Sequence, residues 1–251
     1  MMDALELGYR LRQAIPWSPV PPHRPVRLEH LRSALTPAGR QAMVALERRL
    51  DLSFLDRATD VHGAAEALWA AAMVDTVLHA VPAPPPGPGL DVGAKNAVHL
   101  PGLYAARPGP WDLVELDPQR RYADFTTRGA WGRAMAQRFR AARYIAADIN
   151  DHRGRYALIT WILPFVTPGP HEAWGLPGRL FRPDRTLAHV VSLLGDGGVL
   201  AIVNQGAAEA AVQQELIAAQ SSDLDVIVWG ALPDTLSPYR HPRHLTIIRR
   251  P

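Results

Sequence analysis

Two short segments constrain the fold more than anything else in these 251 residues. Gly89-Leu90-Asp91-Val92-Gly93 and Trp111-Asp112-Leu113-Val114-Glu115-Leu116-Asp117-Pro118 are apolar runs whose ends carry small or acidic residues. Runs of this length, bounded by turn residues, read as strands buried on both faces. The acidic tips Asp91 and Glu115 lie about one strand-helix-strand unit apart, the layout of a nucleotide-type cofactor site at the carboxyl edge of a parallel sheet.

The same alternation continues to the end of the chain. Strands read at about 89–93, 111–116, 143–148, 156–162, 198–204, 225–230 and 244–249, and helices at about 97–106, 118–141, 184–194 and 207–220. Strands flanked by helices imply an α/β fold with a parallel sheet covered on both faces. A Pro-rich loop without a helical pattern joins the last two strands, so the final one is expected to run antiparallel. On this pattern Asp117-Pro118 reads as a helix N-cap followed by a first-turn proline.

Residues 1–88 read differently, as helical and irregular. Five prolines between Pro16 and Pro25 forbid a regular helix there. Thr36-Pro37 opens a helix to about Leu50, with Thr36 as its cap. A second helix from about Asp60 to Ala80 is apolar nearly all round, which implies burial between layers. Pro82 to Pro88 reads as a stiff polyproline linker. The expected organisation is therefore an N-terminal helical cap segment, 1–88, and a sheet domain, 89–251.

Composition narrows the chemistry. Cysteine is absent, and the ten histidines form no HxH or HExxH spacing, so no metal is expected. The net charge is +3, and Lys95 is the single lysine among 27 basic residues. Such a bias reads as codon usage, which makes the many arginines a weak sign of nucleic-acid binding. Arg48-Arg49, Arg120-Arg121, Arg138, Arg140 and Arg143 are scattered and read as a solvated face, so a nucleic-acid partner is not favoured. No apolar run approaches the roughly 20 residues that span a bilayer. Met1 to Glu6 lacks the basic-then-apolar order of a signal peptide, and a cytoplasmic location without membrane contact is expected.

The order of these motifs resembles the class I S-adenosylmethionine-dependent methyltransferases over about 89–250. Leu90-Asp91-Val92-Gly93 is similar to that family's first strand and glycine turn. Glu115 matches its ribose-binding acid, Asp148 the acid near the adenine amino group, and Leu194-Gly195-Asp196-Gly197-Gly198 the turn before its fifth strand. Asp91-Val92-Gly93-Ala94-Lys95-Asn96, Ile159 to Val166, Trp174-Gly175-Leu176-Pro177 and Ile202 to Gly206 resemble an uncharacterised bacterial group within it. The resemblance implies a Rossmann-like, seven-stranded, mostly parallel sheet. It also implies S-adenosylmethionine as cofactor, held by Asp91, Gly93, Lys95, Glu115, Asp148 and Thr160. Two departures stand out: the family's turn has three glycines where Ala94-Lys95-Asn96 follow Gly93 alone, and Ala157 stands where the family has an acid in its fourth strand.

The methyl acceptor is expected over the carboxyl end of the fourth strand, where Trp161, Pro164 and Phe165 form either a flat-walled apolar pocket or a core plug. Asn204 and Gln205 either hydrogen-bond the substrate or cap the next helix. His171 and Glu172, in the long loop from Thr167 to Pro183, are candidates for a general base, and a solvated loop histidine is the plainer reading. Glu115 is expected to matter for binding and little for stability. The function implied is methyl transfer to an acceptor the sequence does not reveal. The alternative is a non-catalytic module of the same fold that binds nucleic acid or a partner protein. The oligomeric state is not legible.

Overall fold

The computed structural model describes residues 3–22, 25–81, 84–220 and 224–251. Seven strands form one sheet in the order β3-β2-β1-β4-β5-β7-β6. They are β1 (Gly89–Val92), β2 (Trp111–Glu115), β3 (Ala142–Ala146), β4 (Tyr156–Ile162), β5 (Leu194–Gln205), β6 (Asp225–Ala231) and β7 (Arg243–Arg249). β1 to β5 run parallel, and β7 runs antiparallel between β5 and β6. The α/β, Rossmann-like reading holds, and the order in which strands are added switches from one side of β1 to the other between β1 and β4, the switch point where such sheets bind ligands.

Helix α4 (Val61–Ala80) explains its own uniform apolarity. Trp69, Met73 and Val77 pack on the sheet against Leu113, Leu158, Val199 and Ile247, with Leu100 and Leu103 of α5 (Leu100–Ala106) alongside. Its other side, through Ala64 and Leu68, meets Leu31 of α2 (Leu28–Ala34) and Met43 and Leu46 of α3 (Pro37–Glu47). A Cβ at Gly102 would lie 1.8 Å from the Ala67 carbonyl oxygen, so α5 reaches the α4 backbone only because residue 102 is glycine. On the opposite face Leu90, Ile159, Leu200 and Ile202 meet Leu187 and Val190 of α8 (Pro183–Ser192) and Ile217 of α9 (Gly206–Ala218). The expected cap over 1–88 therefore divides, with α4 covering the sheet itself. Of the expected linker, Pro82 and Ala83 lie outside the described residues; Pro88 accepts from the Ala157 N–H.

Three local expectations are corrected. The helix expected over 118–141 begins only at Arg128 and ends at Ala136 (α6), because Thr127 caps it by accepting from the Ala130 N–H at 3.1 Å. Before it, Tyr122 to Thr126 close a tight turn with Phe125 in the left-handed region at φ 64°. Asp117 caps no helix; its carboxylate receives Gln13 at 2.7 Å and Arg12 at 3.2 Å from α1 (Ala4–Ala14). The expected long loop after Thr167 contains α7 (Pro168–Ala173) and a short turn of helix at Gly178–Leu180. Among the described residues no helix is long and apolar enough to cross a membrane.

Candidate functional site

β1 ends at Val92, and the backbone then passes through left-handed conformations at every second residue: Gly93 (φ 70°), Lys95 (φ 51°) and Ala97 (φ 60°). Glycine adopts this region freely, whereas residues with a Cβ pay about 1–2 kcal/mol each. Hydrogen bonds hold the turn. Gly93 and Ala94 donate to the Val114 carbonyl at 2.9 and 3.0 Å, the Lys95 N–H donates to Glu115 Oε2 at 2.8 Å, and the Tyr144 hydroxyl donates to the Lys95 carbonyl at 2.7 Å. A Cβ on Gly93 would find nothing within 4 Å, so its φ rather than crowding by the protein calls for glycine, and the space beside it is open.

Glu115, at the tip of β2, is 4% exposed. Besides Lys95 it accepts from the Asp117 N–H at 2.8 Å and, at 3.4 Å, from Arg128 Nη1 of α6. Arg128 also lies over the Trp174 ring at 4.4 Å, with Arg120 at 4.9 Å and Lys95 Nζ at 5.8 Å. Burial pushes the Lys95 ammonium below its ordinary pKa. Trp174 thus carries three cations around its ring beside the buried carboxylate of Glu115.

Asp91 and Thr160 sit one layer below. Thr160 is fully buried and donates to Asp91 Oδ1 at 2.8 Å; Asp91 Oδ2 is buried and unpartnered among the described residues. Burial raises the Asp91 pKa to about 7. Asp148, after β3, caps a short turn by accepting from the Asn150 N–H at 2.9 Å, which is the loop-cap role its position allows, while it also lines the cavity.

One cavity of about 280 Å³ connects these strand ends. Gly93, Lys95, Glu115 and Asp148 line it, together with Trp161, Pro164, Phe165, Trp174, Phe181 and Gln205. Leu163, between Ile162 and Pro164, takes a left-handed φ of 59° that turns the chain off β4. Gln205 accepts from Arg243 Nη1 at 3.2 Å. Asn204 does not reach the cavity; it is fully buried, and its amide atoms have no partner among the described residues. Thr160 and Asp91 also lie behind the wall rather than on it.

His171 is not the solvated loop residue of the plainer reading. It is 2% exposed, it lines the cavity, and its ring packs edge-on against Phe165 at 5.5 Å and against Phe181 at 5.3 Å. Glu172 is exposed on the same short helix.

Sequence reasoning missed Arg128, Phe181 and the α1 contacts. Besides binding Asp117, Arg12 donates to the Gly175 carbonyl at 2.9 Å, the Tyr9 hydroxyl donates to the Leu116 carbonyl at 3.1 Å, and Glu6 pairs with Arg179 at 2.7 Å. α1 therefore spans two walls of the cavity. These partners are 105 or more residues apart in the chain, so no local pattern encodes them.

No protein-family model matches the sequence, and no curated protein matches it. Solved structures do match. An S-adenosylmethionine-dependent methyltransferase from Clostridium acetobutylicum ATCC 824 superposes with a TM-score of 0.51 at 8% identity, over 73% of this chain and 91% of that one. Magnesium protoporphyrin IX methyltransferase (ChlM) from Synechocystis PCC 6803, solved with bound SAM, gives a TM-score of 0.50 at 11% identity, over 87% of this chain and 99% of that one. At such identities the likeness is one of fold.

Proposed function

Since this chain has the fold of the class I S-adenosylmethionine-dependent methyltransferases, we propose that it binds S-adenosylmethionine and transfers its methyl group to a small acceptor. The observation that carries this reading is the left-handed turn 93–97 tied directly to Glu115, with both on one cavity. The residues present fit the cofactor. The open space at Gly93 admits a ligand close to the backbone, and Glu115 and Asp148 line the same cavity. The left-handed backbone at Lys95 and Ala97 supports a cofactor turn over a plain binding module, because the turn keeps its shape without two glycines.

Glu115 would orient the ribose. A carboxylate offers about four acceptor positions, and three donors already point at this one. One ribose hydroxyl is accommodated directly. A second requires Arg128, whose 3.4 Å contact is long, to yield its place while keeping its stack on Trp174. Asp148 and Ile149 flank the adenine end, and Trp161, Pro164 and Phe165 exclude water where the acceptor would lie. When bound, the cofactor supplies an electrophilic methyl on a sulfonium. The chain's task is to hold the acceptor in line with it and to receive a proton where the nucleophile carries one.

Isothermal calorimetry with S-adenosylmethionine and S-adenosylhomocysteine tests the reading. Saturable binding with a rise in melting temperature is the expected result. No uptake of either ligand at concentrations that saturate ordinary methyltransferases would overturn it.

A further inference from the structure

We propose that the outer face of α1, continued by Trp17, Val20 and Phe125, docks on an anionic lipid bilayer. A surface helix normally turns its apolar side inward and its charged side to water. α1 does the reverse. Its inward residues are polar: Glu6, its one buried residue, pairs with Arg179; Arg12 and Gln13 donate to Asp117; and the Tyr9 hydroxyl donates to the Leu116 carbonyl. Leu7, Leu11 and Ile15, four residues apart, follow the other side of the helix to its C-cap and are 45%, 56% and 53% exposed. The chain leaves the helix with Trp17 66% and Val20 91% exposed, and Phe125 is 67% exposed. Arg121 gathers these segments, donating to the carbonyls of Ile15 at 3.2 Å, Trp17 at 3.0 Å and Phe125 at 3.1 Å. Apolar side chains held outward together, on a helix whose polar bonds fix it that way round, mark a surface that something apolar covers.

Charge and exposure point to a bilayer. From Ala4 to Ile15 the exposed positions carry Arg10 and no acid. Among the described residues Arg121 meets only carbonyls, so no carboxylate matches its charge. The nearby acids are engaged elsewhere: Glu6 and Asp117 are buried, and Asp3 and Asp124 accept from the Leu5 and Thr126 N–H groups. A helix with leucine and tryptophan on its apolar side and arginine at its flank suits an anionic interface. Side chains as exposed as Trp17 and Val20 stand out from the surface, and fluid acyl chains take such groups without a fitted socket.

Spanning a bilayer and lying on one are separate properties. No helix among the described residues is long and apolar enough to span. The docking face shows only once packing fixes which side of α1 meets the protein. It does not rest on the methyltransferase reading. α1 bonds Leu116 and Asp117, which line the cavity, so a bilayer on its outer side lies one helix away from that cavity.

Co-sedimentation of the full chain with lipid vesicles tests the proposal. Vesicles of phosphatidylcholine and phosphatidylglycerol in equal parts should carry the protein down, and vesicles of phosphatidylcholine alone should carry less. Added salt should weaken the anionic binding, because it screens the arginines. The double variant Leu11→Ser with Trp17→Ser should keep its circular dichroism, since both side chains are exposed. Its affinity for the anionic vesicles should fall about tenfold or more. Should that variant not fold, Val20→Asp, at the most exposed of these positions, repeats the test outside the helix. No sedimentation with the anionic vesicles, equal sedimentation with both kinds, or equal affinity of wild type and variant would overturn the proposal. Light scattering on the same samples covers the other occupant. A wild-type dimer that the variant splits would assign the face to a second copy of this chain and overturn the bilayer.

Discussion

The backbone N–H of Lys95 donates to the Glu115 carboxylate at 2.8 Å, joining the turn after β1 to the tip of β2. The bond is made by a residue in the left-handed region, at φ 51°. Strain of this kind, held by surrounding structure, concentrates at ligand sites.

Lys95→Gly separates backbone from side chain. It keeps the turn and relieves the left-handed penalty of about 1–2 kcal/mol, part of which returns as unfolded-state entropy. Stability in urea should hold or rise slightly. Affinity for S-adenosylhomocysteine should drop if the ammonium beside Trp174 meets the ligand carboxylate. An unchanged dissociation constant would assign Lys95 to the Trp174 stack alone.

Glu115→Ala should cost stability as well as binding, contrary to what a strand-tip carboxylate in an open cleft implies. The carboxylate holds two backbone N–H groups and Arg128, itself 7% exposed. Removing one partner of a buried pair costs about 3 kcal/mol or more. Denaturant unfolding of Glu115→Ala, Arg128→Met and the double variant gives the coupling; additive losses would mean that the pair is not coupled.

Asp91 makes stability depend on pH. Its folded pKa of about 7 lies above its ordinary 3.8, so the folded state binds the proton more tightly than the unfolded chain. The penalty for ionising it is absent below about pH 4, grows between roughly pH 4 and 7, and is complete above that, reaching the order of a few kcal/mol. Asp91→Asn should therefore melt above the wild type at pH 8 and alongside it at pH 4. The reverse order would show that Asp91 is ionised against a partner.

Truncation distinguishes the N-terminal helices. A chain of residues 89–251 lacks α4 and would expose the sheet face that Trp69, Met73 and Val77 cover, so it should not fold to a soluble state. Removing 1–15 deletes only α1, whose single buried residue is Glu6 and whose tethers are polar. That shorter deletion should keep the fold by circular dichroism and weaken closure of the cavity. An unfolded product would place α1 among the folding determinants.

The sequence by itself determined the alternation of strands and helices, the antiparallel last strand, the cap at Thr36, the start of α4 near Asp60 and the buried nature of that helix. Each is encoded locally, by runs of apolar residues and by side chains that bond backbone a few positions away. It also marked the strand ends at Gly93, Glu115 and Asp148, because a parallel sheet brings its carboxyl tips to one edge whatever the loops do. Only the tertiary structure decided that Glu115 is already held by Arg128 and two N–H groups, that Thr160 serves Asp91 from behind the wall, that Asn204 is buried away from the cavity and that His171 is enclosed by Phe165 and Phe181. Those facts depend on which side chains meet across tens to more than a hundred residues, and such meetings follow from packing the layers together, which no local pattern carries.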